Sequence, residues 1–110
     1  MTFIPGVMTP SDVERGLRLG CKLQKFFPAE VAGGVAMLKA LAGPYGQTGV
    51  KFIPLGGIGP KNAAEYLSLP IVAAIGGSWL CDRKLIAEKK WSAITALTAE
   101  AVRIANSVKS

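Results

Sequence analysis

The chain has 110 residues, of which 50% are hydrophobic and 18% charged, so it predicts one small domain with a buried core and excludes a disordered chain. The absence of histidine excludes histidine-based catalytic triads, histidine metal sites and an imidazole general base. The formal net charge of +6 favours anionic ligands, and because lysine and arginine are scattered, it favours a phosphorylated small molecule over nucleic acid.

The first half of the chain predicts two units, each a strand followed by a helix. An apolar run at residues 3–7 predicts the first strand, and Thr9 is the expected N-cap of the helix behind it. Residues 22–27 predict the second strand. Apolar residues at helical spacing predict the second helix over residues 31–42, which the Gly-Pro-Tyr-Gly sequence at 43–46 is expected to end.

The second half repeats this alternation. Residues 50–55 predict a third strand, residues 61–69 a short helix, and the apolar residues 71–75 a fourth strand buried on both faces. The rest of the chain predicts helix. This order predicts an α/β fold in which residues 1–110 form a single domain of four parallel strand–helix units. Two architectures fit these units: a small open sheet, or half of a (β/α)8 TIM barrel.

Lys25 is the residue whose position most suggests catalysis. In the second strand it shares a face with Leu23 and Phe27, so its amine is expected among bulky apolar side chains beside a ligand cavity. Burial favours the uncharged amine, which is a nucleophile towards ketones and forms Schiff bases. A lysine near a strand end can instead extend its amine into solvent, and that alternative stays open.

Two glycine-rich turns follow the third and fourth predicted strands. One contains Gly56 and Gly57, and the other contains Gly77 and Ser78. Glycine lets backbone N–H groups approach an anion, and the Ser78 hydroxyl is a further donor, so the turns predict phosphate binding. Tight turns between strands and helices also use glycine without any ligand, so this alternative is open as well.

Five segments stand in a distinctive order: IPGV at 4–7, KFFPAE at 25–30, LKALAGP at 38–44, GGI at 56–58 and IGGSWL at 75–80. They closely resemble the bacterial 2-keto-3-deoxy-6-phosphogluconate (KDPG) and 4-hydroxy-2-oxoglutarate aldolase family. The resemblance extends from Phe3 to Ala105. It covers the second half of the family's barrel only, so it favours the half-barrel architecture over the open sheet.

The resemblance implies a class I aldolase, commonly trimeric, that cleaves a phosphorylated keto acid to pyruvate and glyceraldehyde 3-phosphate without a metal or other cofactor. Lys25 corresponds to the Schiff-base lysine and Phe27 to the aromatic residue beside the imine. Pro5 and Leu55 correspond to substrate-binding positions at the pyruvate end. The residues that correspond to the phosphate-binding turns are Gly56, Gly57, Gly77 and Ser78.

The chain also departs from the family pattern. The family's general acid/base glutamate, and an arginine and a threonine that hold the substrate, belong to the first half of the barrel and have no counterpart here. Leu55 and Gly59 replace a usual threonine and serine, so the choice among KDPG, 4-hydroxy-2-ketoglutarate and the galactonate epimer is not determined. Glu30 is the only carboxylate close to Lys25 in sequence, and we expect a loop role for it rather than that of a base.

A half barrel leaves two open strand edges and an uncovered apolar face. We therefore expect the chain to form homo-oligomers or to associate with a chain that supplies the first half of the barrel. A non-catalytic phosphosugar-binding or structural half-barrel subunit is the alternative function. We expect a cytoplasmic protein that binds no membrane, because Cys21 and Cys81 suit free thiols and the sequence contains no recognisable signal or spanning segment.

Overall fold

The computed structural model describes residues 1–109 as a parallel sheet with helices packed on one face. Its strands are β1 (Gly6–Val7), β2 (Leu23–Phe26) and β3 (Lys51–Pro54), in the spatial order β1-β2-β3. The helices are α1 (Pro10–Arg18), α2 (Gly34–Tyr45), α3 (Ala63–Leu67), α4 (Arg83–Ala87) and α5 (Trp91–Lys109), with 3-10 helices at Gly46–Thr48 and Ser78–Cys81. The predicted α/β fold with parallel strands is confirmed.

The strand register determines which residues lie on each face of the sheet. Lys25 in β2 pairs with Gly6 of β1 and with Ile53 of β3. On the opposite face Phe26 and Phe52 are fully buried, and their rings meet edge to face with centres 6.4 Å apart. The helices pack on this second face, and they contribute Leu38, Leu41, Ala63, Tyr66 and Leu67 to the core.

The start of α1 confirms the predicted N-cap at Thr9. The Thr9 hydroxyl accepts a hydrogen bond from the Asp12 N–H at 3.2 Å. The Asp12 carboxylate in turn accepts hydrogen bonds from the N–H groups of Met8 and Thr9. This reciprocal capping box satisfies backbone donors that a helix start would otherwise leave without partners.

The bounds of α2 differ from the prediction at both ends. The helix begins at Gly34 rather than Val31, because Gly33 and Gly34 adopt positive φ angles of 115° and 59° and the residues before them form turns. It continues through Pro44, so the predicted break at 43–46 is wrong. The last turn is held by tertiary contacts, since the buried Tyr45 donates its hydroxyl to the Glu14 carboxylate at 3.0 Å.

The predicted fourth strand at residues 71–75 is not confirmed, because the sheet has three strands. This segment runs beside β3 but forms a single parallel bridge, between Phe52 and Val72. The Phe52 N–H donates to the Ile71 carbonyl, and the Phe52 carbonyl accepts a hydrogen bond from the Ala73 N–H. The next donor along β3 would be Pro54, which has no N–H, so the ladder is interrupted there. The first strand is likewise shorter than predicted, with only Gly6–Val7 paired.

The apolar spacing that predicted a C-terminal helix is confirmed in α5. The side chains at that spacing form its half-buried face: Ile94, Leu97, Ala101, Ile104 and Val108. This face packs towards α3 and extends the core. Within residues 1–109, none of the helices has both the length and the apolar character that crossing a membrane requires.

Candidate active site

Lys25 lies on the face of the sheet opposite the helices. Alternation along the strands places Leu23, Lys25, Phe27, Ile53 and Leu55 on this surface, which we call the open face. All of its members are half-buried except Phe27, which is 49% exposed. The sequence predicted an enclosed apolar surrounding for Lys25, whereas the structure places its side chain half-buried on a surface that lacks a cover.

The Lys25 amine has an aromatic neighbour and no acidic partner. Its Nζ atom lies 4.6 Å from the centre of the Phe27 ring. Neither of the two ion pairs formed between described residues includes Lys25. A lysine amine that is partly shielded and not neutralised by a carboxylate can react with a carbonyl compound once it has lost its proton.

Pro5 and Leu55 border Lys25 on either side. The Pro5 carbonyl accepts a hydrogen bond of 2.8 Å from the backbone N–H of Lys25. Leu55 lies two residues beyond Ile53, the β3 partner of Lys25, so it shares the same face. Of the four residues that the sequence singled out around the keto group, Lys25 and Phe27 are in side-chain contact and Leu55 shares their face, whereas Pro5 meets Lys25 through its backbone carbonyl.

The two glycine-rich turns contact each other at the end of β3. A Cβ atom at Gly77 would lie 3.0 Å from the carbonyl oxygen of Ile58, so the second turn approaches the first closely. Gly56 and Gly57 have φ angles of 105° and 77°, which favour glycine. Asn62 stabilises the first turn, since its Nδ2 donates a hydrogen bond to the Gly57 carbonyl at 3.0 Å.

Four backbone donors in these turns are available to a ligand. No hydrogen bond between residues of the described range 1–109 uses the N–H group of Gly56, Gly57, Gly77 or Ser78 as its donor. The side chain of Ser78 is exposed and carries a further hydroxyl donor. Backbone N–H groups that donate to no other group of the described residues can bind an oxyanion such as phosphate.

Glu30 has a partner that the sequence did not indicate. Its Oε2 accepts a hydrogen bond from the hydroxyl of Tyr66 in α3, whose side chain is fully buried in the core. Burial, together with the Glu30 carboxylate, raises the pKa of the Tyr66 hydroxyl, which therefore remains a donor. The Glu30 carboxylate is thus directed to the helix layer and away from the open face. A buried tyrosine needs a hydrogen-bond partner for its hydroxyl, and this requirement is the signal from which a polar partner for Tyr66 could have been predicted.

Two apolar pockets lie away from Lys25 and the glycine turns. One, of about 300 Å³, is lined mainly by apolar residues of α5 and of residues 73–80. Another, of about 240 Å³, lies between α2 and residues 69–71. Neither contains Lys25 or the glycine turns. Within residues 1–109, no three Cys, Asp or Glu side chains lie close enough together to hold a metal ion.

Comparison with known proteins identifies relatives over most of the chain. A family model described as "Aldolase: KDPG and KHG aldolase" matches residues 1–97. A 2-dehydro-3-deoxy-phosphogluconate aldolase of Treponema pallidum is 46% identical over 102 residues, which are 93% of this chain and 48% of that protein. The chain spans about half the length of the curated relatives it matches.

Solved structures agree with the sequence comparison. KDPG aldolase from Legionella pneumophila, with pyruvate captured as a covalent carbinolamine intermediate, superposes with a TM-score of 0.82 at 51% identity, covering 86% of this chain and 45% of that one. The KDPG aldolase of Zymomonas mobilis with 3-phosphoglycerate superposes with a TM-score of 0.76 at 43% identity, covering 89% of this chain and 44% of that one.

Proposed function

Because the chain belongs to the KDPG and KHG aldolase family, we propose that it is the lysine-bearing half of a class I aldolase that cleaves 2-keto-3-deoxy-6-phosphogluconate. The observation that carries the proposal is the Lys25 amine on the open face, beside the Phe27 ring and outside both ion pairs of residues 1–109. The Legionella relative with pyruvate as a covalent carbinolamine supports it, since this adduct forms when an amine adds to a ketone.

The proposed reaction begins when the uncharged Lys25 amine adds to the keto carbon of the substrate. Loss of water from the resulting carbinolamine gives a protonated imine. A base then removes the proton of the C4 hydroxyl, the C3–C4 bond breaks, and its electron pair moves into the imine to form an enamine. Glyceraldehyde 3-phosphate leaves as the aldehyde. Protonation of C3 and hydrolysis then release pyruvate and restore the amine.

The other predicted residues have separate roles in this proposal. Phe27 flanks the imine, while Pro5 and Leu55 line the pyruvate end. The backbone N–H groups of the two turns bind the substrate phosphate, together with the Ser78 hydroxyl. The available N–H groups of Gly56, Gly57, Gly77 and Ser78 support this assignment, as does the Zymomonas relative with 3-phosphoglycerate.

The strands around Lys25 do not supply the base that the proposed reaction needs. No residue of β1, β2 or β3 is acidic, and Glu30 is directed to the helix layer. General acid/base assistance typically contributes about 10²–10⁴-fold in rate, so we expect very weak turnover by this chain alone. Imine formation with pyruvate is less demanding, because it requires no carbon–carbon cleavage.

We propose further that the chain forms half of a TIM barrel and associates through its open face. The edge of β1 is unpaired, and large apolar side chains such as Phe3 and Phe27 are 71% and 49% exposed. A second copy of this chain would add another open face, which carries a second Lys25 amine and no carboxylate. The arrangement competent for turnover is therefore association with a chain that supplies the first half of the barrel and an acidic side chain.

Trapping of the imine tests the function. The chain is incubated with pyruvate and borohydride, which reduces an imine to a stable amine, and the modified residue is located by mass spectrometry. We expect one pyruvate-derived adduct at Lys25. The adduct is expected to disappear in Lys25→Ala and to persist in Lys51→Ala, which removes another strand lysine.

An adduct that survives Lys25→Ala, or the absence of any adduct in the unaltered chain, would contradict the aldolase proposal. Phosphate binding at the glycine turns without an adduct would favour a non-catalytic phosphosugar-binding subunit.

A further inference from the structure

The Glu30 side chain lies in a slot between two glycines. A Cβ atom at Gly57 would lie 2.6 Å from Glu30 Cγ, and one at Gly34 would lie 2.8 Å from Glu30 Oε2. Both distances are shorter than real Cβ contacts, so a side chain at either position would displace Glu30. The slot leads the carboxylate to Tyr66, whose hydroxyl donates to Oε2.

The backbone around Glu30 is bonded to the first glycine turn. The Glu30 N–H donates to the Gly56 carbonyl at 3.1 Å, and the Ala29 N–H donates to the Leu55 carbonyl at 2.7 Å. Tyr66 belongs to α3, the helix that follows the same turn. Glu30 therefore contacts the turn through its backbone N–H and α3 through its side chain. We call the Glu30–Tyr66 hydrogen bond the latch.

The latch acts on Gly56 and Gly57, whose backbone conformation is not restricted by side chains of their own. Gly56 and Gly57 have no side chains, and glycine populates many backbone conformations at similar energy. The positive φ angles of both residues are consequently maintained by neighbouring groups. Asn62 restrains the Gly57 carbonyl from within the turn. Glu30, in the loop that follows the strand of Lys25, restrains the turn from outside. Its N–H donates to the Gly56 carbonyl, and its side chain packs on Gly57.

We propose that Glu30 and Tyr66 are positioning residues that hold the N–H groups of Gly56 and Gly57 in the arrangement that binds a phosphate group. This inference rests on the proposed phosphate-binding role of the turns. Neither residue touches the keto group, because the latch lies in the helix layer. Binding of phosphate is therefore sensitive to the latch, whereas the reaction of Lys25 with pyruvate, which carries no phosphate, is not.

The test compares two tyrosine variants of the full chain. Tyr66→Phe removes only the latch hydroxyl. Tyr45→Phe removes the equivalent hydroxyl of another buried tyrosine, which donates to Glu14 far from the turns, and is the matched control. Inorganic phosphate is titrated while the amide resonances of the glycine turns are followed by NMR. We expect Tyr66→Phe to weaken phosphate binding by about fivefold or more, a typical lower bound for coupling between sites, and Tyr45→Phe to leave it unchanged.

Two further measurements separate positioning from loss of folding. Pyruvate adduct formation at Lys25 is measured on the same samples, and we expect it to be the same in Tyr66→Phe as in the unaltered chain. Glu30→Gln keeps an acceptor for the Tyr66 hydroxyl and is expected to retain phosphate binding, whereas Glu30→Ala also removes the packing on Gly57 and is expected to weaken it at least as much as Tyr66→Phe.

Equal phosphate affinity in Tyr66→Phe and Tyr45→Phe would overturn the inference, as would an unaltered chain whose turn amides do not respond to phosphate. A parallel loss of phosphate binding and adduct formation would overturn it too, since that result indicates a general structural role. Absence of the adduct in the unaltered chain would instead count against the aldolase proposal.

Discussion

The Lys25 amine lies 4.6 Å from the centre of the ring of Phe27, the residue that directly follows β2. An aromatic face attracts a cation at this distance, and a contact of this kind contributes about 0.5–1 kcal/mol at exposed sites. The ring is 49% exposed and thus has room for a small group beside it. The relationship orients the amine and offers a flat apolar surface to a planar imine.

Phe27→Leu should therefore lower the yield of the pyruvate adduct at Lys25. The iminium is larger than the free ammonium and displaces water that would otherwise solvate it, so it depends more on the ring. We expect the trapped adduct to fall by about 2- to 5-fold, which corresponds to the energy of one cation–π contact. Phe27→Tyr keeps the ring and serves as the control. Equal yields in both variants would show that the ring does not support the imine.

Gly76 and Leu55 pack against each other, which predicts a stability effect. A Cβ atom at Gly76 would lie 2.8 Å from Leu55 Cδ2, so Gly76→Ala overpacks this contact. We expect the free energy of unfolding to fall by about 1–3 kcal/mol, the usual range for overpacking. Gly59→Ala is the control, because no atom lies within 4 Å of its Cβ position.

A double-mutant cycle identifies the cause of that loss. In a Leu55→Ala background the colliding atoms are absent, so Gly76→Ala should destabilise the chain much less than it does alone. The free energies are measured by chemical denaturation. Additive effects of the two substitutions would place the strain elsewhere.

The sequence predicted the type of fold because local signals and tertiary packing agree over most of the chain. Thr9 caps a helix in the sequence and in the structure, and the apolar spacing of α5 forms its half-buried face. The apolar pattern gave a wrong prediction where a strand depends on hydrogen bonds with its neighbour in the sheet. Residues 71–75 have the composition of a buried strand, yet Pro54 offers no N–H to continue the ladder.

The face on which Lys25 and Phe27 lie was predictable from the sequence, whereas the contacts of Glu30 were not. Alternation along the predicted strand at residues 22–27 placed Lys25 and Phe27 on one face, and the two side chains are in contact in the structure. The contact between Glu30 and Tyr66 was not predictable, because 36 residues separate them and only the fold brings them together. The degree of burial of Lys25 was also beyond the sequence, since it depends on what covers the open face.

The open face predicts self-association that a charge on it should weaken. Leu23 is half-buried on this face, whereas Leu19 follows α1 and is 75% exposed. Burial of a leucine side chain contributes about 1.5–3 kcal/mol, so Leu23→Lys should weaken association by about tenfold or more. Leu19→Lys makes the same substitution away from the sheet and should leave association unchanged. Sedimentation equilibrium measures both. An unaltered chain that stays monomeric at micromolar concentration would contradict self-association through the open face.

The capping box of α1 predicts a pH-dependent contribution to stability. Hydrogen bonds from the backbone N–H groups of Met8 and Thr9 hold the pKa of Asp12 below its ordinary value of 3.8. Since the folded state favours the carboxylate, the stabilisation is complete above pH 3.8 and is lost as the pH falls through the lower pKa of the folded state.

Asp12→Asn keeps an acceptor at the cap but removes the charge, so it isolates this pH-dependent part. At pH 7 the variant should be less stable than the unaltered chain by about 0.3–1 kcal/mol, the usual range for a charge at an exposed helix start. The difference should shrink as the pH falls below 3.8, because Asp12 of the unaltered chain then becomes neutral as well. Glu100→Gln makes the same chemical change on α5 without removing a cap. Urea denaturation at a series of pH values provides the comparison, and a difference that stays constant from neutral to acid pH would show that the Asp12 charge does not stabilise α1.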